Sequence, residues 1–144
     1  MNYSELIQAY FERSVALQWY WTIYVIGIGG LLGFSTFRQR PEFVTTVLVT
    51  ILFACFAFKN EGAIEATAEE REAIRVAFKQ YPADGLRGSE IKLVRDKVEP
   101  TLSEYDIPGA RYFHIACALL TIAFVWAKEW RRRTPELVVD TAAK

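Results

Sequence analysis

Residues Val15 to Phe37 read VALQWYWTIYVIGIGGLLGFSTF, twenty-three residues without a charged side chain. A helix rises about 1.5 Å per residue, so this stretch is about 34 Å long and covers a hydrocarbon layer about 30 Å thick. It predicts a membrane-spanning helix. Trp19, Tyr20, Trp21 and Tyr24 gather at one end, where amphipathic rings favour the headgroup level. Gly27, Gly29, Gly30 and Gly33 gather at the other, where the missing side chains let a second backbone come close. The first half is expected to anchor and the second to pack.

Upstream, Leu6, Ile7, Tyr10 and Phe11 share one helical face, and no Pro or Gly interrupts the chain between Ser4 and Gly27. The first helix should therefore extend outward past the membrane. Downstream, Arg38, Gln39, Arg40, Pro41 and Glu42 form a short link. Pro41 suits a first helical turn, where its missing N–H costs nothing, and Glu42 complements the positive helix end.

The next block, Phe43 to Phe58, holds ten Leu, Ile, Phe and Val residues. At about −0.3 to −0.6 kcal/mol each they favour insertion by roughly −3 to −6 kcal/mol. A second span over about 43–59 follows, with Lys59 turned outward to the interface. Thr46, Thr50 and Ala54 recur every four residues, a small-xxx-small stripe like that of Gly29 and Gly33. These two stripes are expected to pack together.

Residues 60–110 carry eleven acidic and seven basic side chains. Thr67 and Glu70 form a capping-box pattern ahead of an apolar stripe of Ile74, Ala77, Phe78 and Tyr81, which predicts a separate helix from about Ala68 to Gln80. Pro82, Asp84, Gly85 and Gly88 predict a turn, and Ser89 starts a shorter helix to about Val98, stopped by Pro100. Thr101 with Glu104 repeats the capping pattern, and Pro108 with Gly109 is expected to break the chain. Fifty residues make too small a core to stand alone, so this helical hairpin must rest on the bilayer, the spans or a partner. The third span runs over about 112–130 and ends in a basic stop at Lys128 and Arg131 to Arg133. The tail after it shows no period and reads as irregular.

The fold class is therefore all-α: one integral membrane unit over 1–144 with three transmembrane helices and an extramembrane helical hairpin between the second and third. Composition agrees, since the chain is 52% hydrophobic and 15% aromatic with the apolar residues in three blocks. Seventeen basic side chains balance seventeen acidic ones with no clustered basic surface, which excludes a nucleic-acid partner. Two cysteines inside apolar blocks exclude a secreted disulfide framework. Glu5 and Glu12 before the first span argue against a cleaved signal peptide. Near the span ends, Arg38, Arg40, Lys128 and Arg131 to Arg133 outweigh Arg13, Lys59 and Arg111. This places the link and C-terminus in the cytoplasm and the N-terminus and 60–110 loop outside, in a bacterial inner membrane.

Chemistry is sparse. Cys55 and Cys117 lie at matching depth, about 6 to 9 Å below the loop-side surface, with His114 near Cys117. With His114 and Cys117 at i, i+3 they could supply thiolate and imidazole ligands to a metal or form a redox pair. Free cysteine is, however, more often a small apolar residue, and a fourth ligand is missing. No carboxylate is expected at span depth, and His114 alone approaches it, which argues against ion coupling. Thr45, Thr46 and Thr50 could line a pore, though such hydroxyls usually bond back to their own helix. No phosphate loop, nucleophile elbow or metalloprotease helix occurs. The sequence thus predicts a non-enzymatic accessory or interaction subunit with no cofactor, partnered by the lipid bilayer and by further copies or a larger membrane protein. The packing interface is Gly27, Gly29, Gly30, Gly33, Thr46, Thr50 and Ala54. A homo-oligomeric channel or transporter, or a redox or metal-binding protein, are the alternatives.

Overall fold

A computed structural model of the chain describes residues 3–81 and 89–142, without side-chain detail at 89–92, 94 and 135–142. Its elements are α1 (Tyr3–Phe37), α2 (Phe43–Lys79), α3 (Ser89–Val98), a 3-10 turn (Glu99–Thr101) and α4 (Ile107–Ala142). The fold is all-helical, and α1, α2 and α4 are each long and apolar enough to cross a membrane. The outward extension of the first helix is present, since α1 runs unbroken from Tyr3.

Where the second span was expected to stop at Lys59, α2 continues to Lys79, 37 residues in all. The reason is local. Past Phe58 the chain is rich in Ala, Glu, Arg and Lys, all good helix formers, and one glycine, Gly62, costs only about 1 kcal/mol. Thr67 is buried inside this helix and caps no new one. At about 1.5 Å per residue α2 is about 55 Å long, so much of it stands beyond a hydrocarbon layer. The expected turn at Pro82, Asp84, Gly85 and Gly88 lies outside the described residues.

Two other expectations change at the ends of α4. Pro108 and Gly109 open the helix instead of breaking the chain before it. The Asp106 carboxylate accepts the Gly109 N–H at 3.0 Å, a side-chain cap on the first turn, and proline is tolerated there because its N–H would have no partner. A Cβ at Gly109 would lie 2.0 Å from that carboxylate, so cap and glycine belong together. At the other end α4 runs on to Ala142, because arginine and lysine that stop a membrane span do not stop a helix. Thr101 caps nothing: its hydroxyl donates back to the Val98 carbonyl at 2.7 Å. Pro41 precedes the extended residue Glu42, which takes the position ahead of α2.

The three long helices pack in successive layers. Outermost, Tyr3, Leu6 and Tyr10 of α1 bury against Phe78 of α2 and Leu102, with Ile74, Tyr81 and Val98 at the margin. The amphipathic stripe of the polar segment thus rests on the extension of α1. Next come Leu17, Ile64 and Ala68, and then Tyr24, Leu31, Phe53, Ala57 and Val125 among the spans. On α1 the buried positions Tyr3, Tyr10, Leu17, Tyr24 and Leu31 are seven apart, and on α2 Thr46, Phe53, Asn60 and Thr67 keep the same interval, as do Ala57, Ile64, Arg71 and Phe78. A seven-residue repeat keeps one seam facing its partners along helices far longer than the membrane is thick.

Candidate functional site

Because one seam serves the whole bundle, its polar members face inward. On α4 the seam passes through His114, Thr121, Val125 and Glu129, and the two ionisable residues head separate clusters about 22 Å apart along the helix.

At the first, the His114 ring stacks on Tyr24 with centroids 3.7 Å apart and meets the edge of Trp21 at 5.8 Å. The Tyr24 hydroxyl donates to the His114 carbonyl at 2.7 Å. Asn60 Nδ2 stands 3.4 Å from His114 Nε2. With the amide donating, Nε2 carries the lone pair and the ring proton sits on Nδ1. Trp21 donates to the Tyr105 hydroxyl at 3.0 Å. Beside them a cavity of about 10 Å³ is lined by Glu61, Glu65, Tyr105, Arg111 and His114 among others, room for about one water. Arg111 lies 3.4 Å from both carboxylates.

The second cluster has Glu129 at its centre, only 2% exposed. Both of its oxygens are occupied: Oε2 pairs with Arg38 and accepts from Thr46 at 3.2 Å, while Oε1 faces Arg133 Nε and Nη2, each at 3.3 Å. Arg38 also donates to Thr46 Oγ1 at 2.8 Å, and Arg132 donates to the Ser35 carbonyl. The link after α1, the start of α2 and the end of α4 are thereby tied together.

A third cluster forms around Arg71, further along α2. Arg71, 9% exposed, donates from Nε to Ser14 Oγ at 3.0 Å and from Nη2 to the Tyr10 hydroxyl. Ser103 offers its carbonyl and hydroxyl at 3.4 and 3.5 Å. The guanidinium also lies 4.6 Å from the Tyr10 ring centroid. Arg71 therefore clamps the segment after the 3-10 turn onto α1 and α2. Nearby, the hydrogen bond from Arg75 holds the Glu72 carboxyl below its ordinary pKa.

Comparison with protein-family models, curated proteins and solved structures finds no match.

The chemistry thus rests on these side chains alone, and the residues singled out in the sequence fare unequally. His114 and Cys117 both turn toward the bundle, Cys117 packing beside the Tyr24 cluster, but Cys55 is exposed on α2. The three are not brought together, and among the described residues no group of three His, Cys, Asp or Glu could hold a metal. The reason is register, since buried Phe53 and Ala57 flank Cys55 two residues away on either side and turn it outward.

The glycine stripe also divides. Gly27 meets α2, where an added Cβ would lie 2.9 Å from Phe56. Among the described residues, a Cβ on Gly29 or Gly30 would meet nothing within 4 Å, and one on Gly33 only Phe37 of its own helix, at 4.0 Å. On α2, Thr46 is buried, Thr50 half-buried and Ala54 exposed. The expected seating of Gly29 and Gly33 on Thr46, Thr50 and Ala54 is therefore not what joins α1 to α2. The Thr50 hydroxyl donates to the Thr46 carbonyl at 2.7 Å, and the one Thr46 hydroxyl proton is shared between the Glu42 carbonyl at 3.1 Å and Glu129.

Glu129 is a buried carboxylate that the sequence alone does not single out. Its basic neighbours in sequence disguise it as part of an interfacial flank. Tyr24, grouped by composition with the headgroup aromatics, is instead fully buried, whereas Trp19 points outward. The seven-residue interval through Tyr10, Leu17 and Leu31 finds Tyr24 on α1, while on α4 the seam steps by seven from His114 to Thr121 and then by fours through Val125 to Glu129.

Proposed function

We propose that the protein is a non-enzymatic membrane subunit that works by binding another membrane protein, a second copy or a larger partner, through the thin face of α1. The observation that carries this reading is that a Cβ built on Gly29 or Gly30 would meet nothing within 4 Å among the described residues. Glycine costs a helix about 1 kcal/mol relative to alanine, and in a bilayer it is recovered where a second helix approaches closely. With α1, α2 and α4 already packed along another seam, the helix that would use this face comes from outside. The polar segment, clamped by Arg71, supplies a second surface beyond the membrane.

We further place the Arg38–Glu129 end in the cytoplasm of a bacterial inner membrane, with the N-terminus and α3 outside. Support comes from the meeting of the basic link and the basic end of α4 at one corner, through Arg38 with Glu129 and Arg132 with Ser35, where the positive-inside rule gives short flanks most weight.

Single cysteines at Gly29 and Gly30, in a chain with Cys55 and Cys117 replaced by alanine, should form one defined crosslinked product in native membranes. A cysteine at exposed Phe58 of α2 should not. Absence of product at the glycines, or equal product at Phe58, overturns the reading. For orientation, a membrane-impermeant thiol reagent should modify a cysteine at Glu104 from outside and spare one at Gln39; the reverse overturns it.

A further inference from the structure

The corner around Glu129 holds more positive charge than its carboxylate can answer. Among the described residues, Arg38 and Arg133 share that single carboxylate and Arg132 reaches only the Ser35 carbonyl. Residues 38–42 and 128–133 together carry six basic side chains against two acidic ones. Two guanidinium nitrogens, Arg38 Nε and Arg132 Nη1, are buried without a hydrogen-bond partner. A buried unpaired donor on a cation is costly, and an oxygen acceptor bearing negative charge is what would satisfy it.

We propose that this corner binds the phosphodiester of an anionic phospholipid. Arg38 and Arg132 supply planar forks suited to paired phosphate oxygens, and Arg133, 42% exposed at its side chain, lies at the open rim. Arg132 presents its free donor to the bilayer by a change of rotamer, as long cationic side chains at span ends do. A free phosphate ion shares this chemistry, but the surroundings favour a lipid. Phe37 is 85% and Trp130 76% exposed at the same end. Phe43, half exposed, lies edge-on to Trp126 with centroids 5.8 Å apart. Together these rings offer acyl chains an apolar bed directly beside the cations. The proposal requires only that the spans be embedded and is independent of the partner proposed for α1.

The test is native mass spectrometry of the full chain released from nanodiscs containing equal amounts of phosphatidylglycerol and phosphatidylcholine. Phosphatidylglycerol should be retained about tenfold over phosphatidylcholine, the ratio that one charge-assisted hydrogen bond supplies. Arg132→Gln should remove most of that preference, whereas Arg131→Gln, which deletes the same charge from an exposed position, should leave most of it. Millimolar inorganic phosphate should not displace the lipid. Equal retention of the two lipids by the wild-type chain overturns the proposal without reference to any variant. So do equal losses in the two variants, which would mean a diffuse field, and displacement by inorganic phosphate, which would mean a soluble ligand.

Discussion

Arg38 and Glu129 stand 91 positions apart and form one ion pair inside the bundle, the carboxylate almost wholly withdrawn from solvent. Its partners come from the link after α1 and from two helices, so the pair closes the end of the bundle as a disulfide would close a loop. Replacing one member leaves the other buried with its charge unanswered.

Glu129→Ala should therefore cost about 3–5 kcal/mol of stability. Replacing both, as Arg38→Met with Glu129→Leu, should recover most of that loss, because the one cation left without its partner, Arg133, is 42% exposed at its side chain and can turn to solvent. Reversible unfolding in detergent measures both, and a Glu129→Ala chain within about 0.5 kcal/mol of wild type would show that the pair is not formed.

The two halves of the glycine stripe should respond differently to bulk. Gly27→Leu drives a side chain into Phe56 and should cost about 1–3 kcal/mol by overpacking. Gly29→Leu and Gly30→Leu should leave the stability of the isolated chain unchanged while abolishing the crosslinked product in membranes. Identical behaviour of all three variants in detergent would contradict the packing described here.

Tyr3 buries its hydroxyl with no hydrogen-bond partner between Phe78 and Tyr81, whose ring centroids lie 4.8 and 5.7 Å away. Tyr3→Phe keeps the ring and removes the unsatisfied group, so it should be neutral or stabilising by about 1 kcal/mol. Arg71→Met should do the reverse to the neighbouring segment. It frees residues 99–106 from α1 and α2, which hydrogen exchange would register as faster exchange there with the spans unaffected. Uniform acceleration along the chain would mean that Arg71 is no local clamp.

Acid should act first on the extramembrane half. The Glu72 carboxyl is held below its ordinary value of 4.5, chiefly by the hydrogen bond from Arg75. A lowered carboxylate pKa contributes stability that is fully present above the unfolded value and is lost as pH falls through the folded one. Between about pH 5 and 3 the wild-type chain should thus lose stability more steeply than Glu72→Gln. Parallel curves would show that the Arg75 contact adds nothing.

Tyr24→Phe isolates another contact, since it deletes the hydroxyl that donates to the His114 carbonyl and keeps the stacked ring. Hydrogen bonds between membrane helices are worth about 0.6 kcal/mol on average and at most about 1.7. A loss in that range is expected from unfolding in detergent. A far larger loss would mean that the hydroxyl also organises Asn60 and His114.

Three apolar runs of sufficient length, an unbroken first helix and a short basic link were all legible from residue order, because transfer into hydrocarbon and helix propensity are local sums over neighbours. The inward turn of Tyr24 and Glu129, the exposure of Cys55, and the sharing of the glycine stripe between a packed Gly27 and open Gly29 and Gly30 were not. Each depends on which seam of one helix meets which seam of another, and composition is blind to that register. The seven-residue spacing of Tyr3, Tyr10, Leu17, Tyr24 and Leu31 was present in the chain throughout, but only three helices packed together reveal that it, and not the break between apolar and polar blocks, decides which face of α1 is buried.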